Sequence, residues 1–192
     1  MNKLREIISR NLSGKKVLLL FIITNIVYAF MLIVTIPRTM TFSNGMKLLD
    51  MMPMGYNAEY VISLLDTLGN KGREVYLYCQ IPVDMIYPFL FGISYCLLIA
   101  YFFKKLDKLN SNIFYLCLLP LIGGIADYLE NFGIISMLNN FPQLSQIEIN
   151  FTNIFSMIKS ISTTVYFIVL IITLMAFGIK TLNKNKTSAS NV

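Results

Sequence analysis

The sequence predicts an all-α polytopic membrane protein, a four-transmembrane-helix bundle with a helical outer loop. Two observations lead to this fold class. Hydrophobic residue types make up 56% of the chain and charged types only 14%, whereas a soluble domain of this size needs more charge on its surface. The apolar residues also form long blocks, and a helix needs about 20 apolar residues to cross the hydrocarbon core of a bilayer.

Four blocks reach or approach this length, at residues 17–36, 81–103, 113–138 and 151–179. The first is uncharged and longer than the apolar core of a signal peptide, and no A-x-A-like cleavage site follows it, so we expect a retained span. The other three contain one or two charged residues each. Inserting a charged residue at the centre of a span costs about 3 kcal/mol, and the favourable insertion of several Leu and Ile residues offsets this cost. We treat the whole chain, 1–192, as a single membrane domain.

Lysine and arginine residues predict the orientation of the chain. They are concentrated in the N-terminal tail, in the connection after the second block and in the C-terminal tail, whereas the connection 37–80 has four basic and four acidic residues. The positive-inside rule then places both termini in the cytoplasm and 37–80 outside. The pattern resembles that of small bacterial proteins with four spans, which implies the bacterial plasma membrane. The basic excess indicates affinity for anionic lipid, and no nucleic acid partner is expected.

The segments outside the blocks carry weaker signals. Residues 2–12 place four apolar side chains on one helical face, which predicts either a basic amphipathic helix on the inner membrane surface or a frayed tail. In the outer loop a helix is expected to begin after Asn57, as its N-cap, and to stop at Gly69. The polar tail 183–192 is expected to be disordered.

Several chemistries are excluded by composition. The chain has no histidine, which removes His-based zinc and haem sites and Ser-His-Asp catalysis. The three cysteines form no C-x-x-C pair, and no phosphate-binding glycine loop is present. We therefore predict no metal and no cofactor. The stretch MMPMG at 51–55 could offer thioethers to a soft metal, but flexible methionine side chains that fill gaps at the edge of the bundle are the favoured interpretation.

The stretch GGIAD at 123–127 lies within the third block. It is similar to the Gly-x-Gly-Asp motif of intramembrane aspartyl proteases, which would make Asp84 the second aspartate, except that Ala126 stands where that family has glycine. We interpret Gly123, Gly124 and Ala126 instead as small residues that allow close helix packing.

The charged residues inside the blocks are expected to meet at one depth. When the chain is folded about Ser145, Glu130 and Lys159 each lie about 20 Å from the turn, at 1.5 Å per helical residue. Asp127, Glu130 and Asn131 share one helical face by their spacing. Asp84 enters its block from the same outer side, as does Arg38 just after the first block. The predicted site consists of Asp84, Asp127, Glu130, Asn131 and Lys159.

Two interpretations of this cluster remain open: a polar pocket in the outer half of the bundle, or an ion-pair network that only fixes helix register. Three acids against one lysine leave excess negative charge, even if Arg38 neutralises Asp84. A proton held by one acid, or a bound cation, amine or zwitterionic lipid, would offset it.

Three classes of function follow. The first is a non-enzymatic membrane protein, such as an assembly, sensing or partner subunit. The second is a protein or small transporter that binds a lipid head group or a cationic ligand through the cluster. The third is a membrane enzyme that uses carboxylate acid–base chemistry, with its catalytic residues unassigned. The partners to expect are the lipid bilayer, a lipid head group or cationic ligand, and another protein.

Overall fold

The computed structural model describes the backbone of residues 3–189 and the side chains of residues 3–184. Within that part of the chain every regular element is helical, which confirms the all-α prediction. The main helices are α1 (Lys3–Arg10), α2 (Gly14–Met40), α3 (Ala58–Val75), α4 (Tyr87–Lys105), α5 (Leu119–Asn140) and α6 (Gln146–Ala189). Four helical runs are long and apolar enough to cross a membrane: Gly14–Met40, Ala58–Lys105, Asn112–Asn140 and Gln146–Lys184.

Each run extends beyond the apolar block that predicted it, because a helix does not end where its apolar residues end. A 3-10 turn, Asn112–Leu118, precedes α5. The tail that we expected to be disordered continues α6 as a helix to Ala189, and residues 190–192 lie outside the described residues.

The Ile8 and Leu12 side chains are buried, so the N-terminal segment is a docked amphipathic helix and the frayed-tail alternative is wrong.

The expected stop at Gly69 is confirmed as a break in the helix, after which a second helical segment follows. Gly69 does adopt a left-handed backbone (φ 60°, ψ −177°), but the helix resumes and runs to Val75. The Arg73 guanidinium donates a 2.7 Å hydrogen bond to the Leu65 carbonyl oxygen across the break, so a carbonyl that the break leaves without its helical donor is satisfied. A π-turn, Tyr76–Gln80, and a short helix, Ile81–Asp84, then lead into α4. The helix predicted for the outer loop and the second predicted span therefore belong to one bent helical run.

Helix α4 lies at the centre of the bundle, packed against α2, α5 and α6, while α5 and α6 form a long antiparallel pair. Helices α2 and α6 do not pack along each other. The α4–α5 contact is close at Gly124, where a Cβ atom would lie 2.7 Å from the Pro88 carbonyl oxygen. This confirms Gly124 as a packing glycine. A Cβ on Gly123 would make only ordinary contacts, the nearest at 3.4 Å.

The two ends of the bundle have separate cores. At what we call the capped end, α3 and the segment 41–57 cover the bundle, and Leu48, Leu49, Leu64 and Leu65 are fully buried. Several methionines, Met40 among them, pack against this core, which favours the gap-filling interpretation. What we call the terminal end holds α1, the connection 106–111 and the end of α6, and its core is rich in aromatic residues.

Candidate ligand-binding site

Lys159 on α6 is the cationic centre of the predicted cluster, and its side chain is 18% exposed. Its Nζ lies 3.3 Å from Asp127 Oδ1 and also forms an ion pair with Glu130 Oε2. Both carboxylates project from α5, one turn apart, toward the same point on α6. The Glu130–Lys159 contact that was predicted from equal distances to the turn is therefore confirmed.

Asp84 closes the short helix before α4 and is only 3% exposed. Its backbone oxygen accepts a 3.2 Å hydrogen bond from Asn131 Nδ2, which ties α5 to this turn. Among the described residues, no hydrogen-bond partner reaches its Oδ2 atom. The five predicted residues thus lie together, and Asp84 is the acid of the set that Lys159 does not pair.

Arg38, which the sequence placed on the same outer side as Asp84, does not neutralise it. It is exposed and lies with Glu74 in a separate groove between α2 and the Tyr76–Gln80 turn. Among the described side chains it forms no ion pair. The buried face of α2 at this level carries Thr35, Ile36 and Thr39 instead, so Arg38 lies on the wrong face of its helix to reach the cluster.

Asp50 belongs to the cluster but was not predicted. Its backbone oxygen lies 3.4 Å from Lys159 Nζ. Its carboxylate accepts hydrogen bonds from the Tyr76 hydroxyl (2.6 Å) and from Gln80 Nε2 (3.1 Å), and Gln80 in turn accepts from the Thr35 hydroxyl of α2. The one available signal was an isolated acid inside the apolar stretch LLDMMPM. Both carboxylate oxygens of Asp50 accept hydrogen bonds from neutral donors, so Asp50 does not depend on an ion pair with Lys159.

The segment 50–56, which we call the strap, is held along α6 by side chains three residues apart. Asn153 accepts from the Tyr56 amide at 2.9 Å, Ser156 donates to the Met52 carbonyl oxygen at 3.4 Å, and Lys159 reaches the Asp50 carbonyl oxygen. Gly55 has φ +81° and lies against the Asn153 side chain, where a Cβ atom would collide. The strap therefore closes the capped end over the cluster.

Tyr56 at the end of the strap was also not predicted. It is 8% exposed, and its hydroxyl has no hydrogen-bond partner among the described residues. Burial, with nearby Glu130 adding to it, raises the Tyr56 pKa well above the usual range. The phenol is therefore a neutral hydroxyl that keeps its capacity to donate a hydrogen bond.

A cavity of about 430 Å³ lies against the cluster. Asp50, Asp84, Asp127 and Lys159 line its polar part, and the hydroxyls of Ser160, Thr163 and Thr164 line its α6 side. The remaining walls are mostly apolar or aromatic and come from α2, α4, the strap and α5: Tyr28, Met31, Leu32, Ile36, Tyr87, Phe91, Met51, Pro53 and Gly123. Tyr28 stacks on Tyr87 with ring centroids 5.3 Å apart. The cavity occupies the gap that α2 and α6 leave because they do not pack together.

This arrangement is an amphipathic pocket, with charge concentrated at one end and apolar walls beside it. In the described part of the chain no group of three or more Cys, Asp or Glu side chains is disposed to hold a metal ion. Comparison with family models, with curated proteins and with solved structures gives no match for this chain.

Proposed function

We propose that the chain is an integral protein of the bacterial plasma membrane that binds an amphiphilic ligand from the side. The polar head of the ligand would lie at the acidic cluster, and its apolar part would follow the cleft between α2 and α6. The cavity between these two helices carries the proposal. Leu32, at its edge on α2, is 46% exposed, and its neighbour Ile33 is 75% exposed. The cleft thus opens on apolar surface, the kind of surface that faces lipid.

The state of the charges favours binding over a purely structural network or a partner subunit. A network that only fixes helix register should leave no acid unpaired, because an unpaired buried carboxylate is costly. Asp84 is unpaired and lines the cavity. A transporter would need a second access route, and in the terminal half the bundle interior is filled by buried residues such as Tyr95, Phe103 and Tyr166. We therefore favour a binding protein.

The orientation of the proposed membrane protein is tested with cysteine labelling. Lys and Arg asymmetry supports cytoplasmic termini, and the capped end then faces outward. Cys79 is half-buried near that end, while Cys96 and Cys117 are buried in the bundle. An impermeant maleimide applied to intact cells should label Cys79 alone. Labelling of Cys79 only after the cells are permeabilised would reverse the orientation.

The binding cleft is tested by filling it. The chain contains no tryptophan, so Leu32→Trp places a single large side chain at the cavity edge and gives a fluorescent reporter there. Ile33→Trp is the matched control, because Ile33 is exposed and does not line the cavity. Native mass spectrometry of the gently purified proteins should show a co-purifying amphiphile in wild type and Ile33→Trp, and a loss of it in Leu32→Trp. Equal retention in all three would contradict the proposed cleft.

A membrane enzyme is the second candidate, and one observation favours it. Asp84 and Asp127 both line the cavity, and paired carboxylates can serve acid–base chemistry on a bound substrate. If the protein converts its ligand, wild type and Asp127→Asn should co-purify with species of different mass. If both carry the same species, the protein binds without conversion.

A further inference from the structure

The charges that face the cavity do not balance, and the imbalance can be located. Four carboxylates belong to the cluster, and Lys159 is its one described cation. Lys159 forms ion pairs with two of them, Asp127 and Glu130. Asp50 receives neutral hydrogen bonds from Tyr76 and Gln80. This leaves Asp84 as the one cavity-lining acid for which no donor or cation is provided by the described residues.

Asp84 therefore needs a partner that the chain does not supply. A carboxylate that is 97% buried is stable as an anion only when a cation or hydrogen-bond donors satisfy it. Its Oδ2 has no donor, so a partner with an N–H group fits better than one with charge alone. Tyr87, three residues after Asp84, and Tyr28 stacked on it line the same cavity. Aromatic faces attract cations, so these rings add to the same preference.

The charged residues that line the cavity also make a phosphate head group unfavourable. Lys159 is the only cation among the residues that line the cavity, and it is shared by two carboxylates. A phosphate in the cavity would lie beside three acids, Asp50, Asp84 and Asp127, without a free cation to offset its charge. The cavity, with a volume of about 430 Å³, also extends along apolar walls. These walls suit an alkyl chain better than a second polar group.

We propose that the amphiphile bound in this cleft carries a net positive ammonium head, with N–H groups directed at Asp84 and an alkyl chain between α2 and α6. This inference rests on the proposed function, because it names the chemistry of the ligand for the same cleft. It separates long-chain amines from zwitterionic phospholipids, which the sequence alone leaves as equal alternatives.

The test compares probes that share a twelve-carbon chain and differ in the head: dodecylamine, N-dodecylacetamide, dodecylphosphocholine and dodecanol. Each is added to the purified full chain in an uncharged detergent. Melting is followed with a thiol-reactive dye, because Cys96 and Cys117 are buried until the bundle opens. A Cys79→Ser background removes the half-buried thiol. Dodecylamine should stabilise the protein with an apparent affinity at least 10-fold tighter than any of the other three probes.

Asp84→Asn should reduce the apparent affinity for dodecylamine by about 10-fold or more and leave the affinity for dodecanol unchanged. Glu74→Gln is the matched control, because Glu74 is an exposed acid in the other groove, and it should bind dodecylamine as wild type does. N-dodecylacetamide removes the charge from the ligand, so it tests the same contact on unmutated protein even where a variant fails to fold.

The outcomes separate the two proposals. If dodecanol and dodecylphosphocholine bind as tightly as dodecylamine, or Asp84→Asn leaves the amine affinity unchanged, the ammonium inference is wrong while the cleft remains a binding site. If none of the four probes changes the melting temperature, both proposals are wrong.

Discussion

The two ends of the bundle use charged residues in opposite ways. At the capped end Lys159, Asp127 and Glu130 form ion pairs inside the protein, where their side chains are at most 18% exposed. At the terminal end the ion pairs lie on the surface: Glu6 with Arg10, and Asp107 with Lys180 at 2.6 Å. The core of the terminal end is instead rich in aromatic residues, and Arg5 lies at its edge with its guanidinium 4.6 Å from the centre of the Phe114 ring.

The difference bears on how much each kind of interior contributes to stability. An aromatic core gains free energy from burial of apolar surface without cost for buried charge. A buried charge cluster gains little net stability, because desolvation opposes the attraction between its members. Both ends have apolar cores that stabilise the fold, while the charge cluster of the capped end adds little net stability, as expected if it serves the proposed binding. Three measurements test this difference between the two ends.

The largest effect is expected from Lys159→Met. The substitution leaves Asp127 and Glu130 buried without a cation, and breaking a buried pair typically costs about 3–5 kcal/mol. The melting temperature in detergent should fall sharply. Adding Glu130→Gln to this variant removes one of the stranded acids and should recover part of the loss. Losses that simply add up would show that Glu130 and Lys159 are not coupled, which would contradict the ion pair.

A smaller effect is expected from Tyr166→Phe at the terminal end. The Tyr166 hydroxyl donates a 2.9 Å hydrogen bond to the Tyr95 carbonyl oxygen while its ring packs edge-on to Tyr95, with centroids 5.7 Å apart. The substitution keeps the ring and removes one hydrogen bond, at a cost of about 1 kcal/mol. Tyr78→Phe, at an exposed tyrosine, should leave the melting temperature unchanged. A loss from Tyr166→Phe as large as that from Lys159→Met would remove the proposed difference between the ends.

The smallest effect is expected from Asp107→Asn on the terminal surface. Asp107 has φ +60°, a conformation that asparagine also tolerates, so the backbone is not strained. The hydrogen bond from Lys180, and its charge, lower the Asp107 pKa. The stabilisation is therefore present above the usual carboxylate range and is lost as pH falls through the lowered pKa.

Because this pair is fully exposed, solvent and salt screen it, and the melting temperature at pH 7 should change by less than about 1 °C. A melting-temperature difference of several degrees that disappears on acidification would mean that the Asp107–Lys180 pair stabilises the fold. This would contradict the view that surface ion pairs at the terminal end contribute little.

Apolar block length predicted the four long helices, because their sequences contain few charges and no interior breaks strong enough to stop them. The glycine rule for helix ends correctly placed a break at Gly69. Only the tertiary structure reveals that a second helical segment follows, in which Arg73 satisfies the Leu65 carbonyl oxygen. The sequence also did not show which face of α2 carries Arg38. The π-turn Met31–Thr35 inserts an extra residue into α2 and shifts which side chains face the bundle, and a regular helical period cannot anticipate that shift.

The cluster was predictable to the extent that it lies on regular helices. Glu130 and Lys159 flank one short turn, so residue counting gave their relative depth. Asp50 and Tyr56 lie in the strap, whose path follows contacts with Asn153 and Ser156 rather than any period. No count along the sequence could place them, and that is why two residues that complete the site were missed.

The pairing of α5 with Lys159 has a consequence for biogenesis. If the chain enters a bilayer as proposed, the ribosome delivers α5, with two acids, before α6 supplies their cation. Each unpaired acid near the centre of a span costs about 2.5–3.5 kcal/mol on insertion scales, so α5 is a poor substrate for release into lipid by itself. Only five residues separate Asn140 from Gln146. The two helices should therefore leave the translocon together as a hairpin, with the ion pairs already formed.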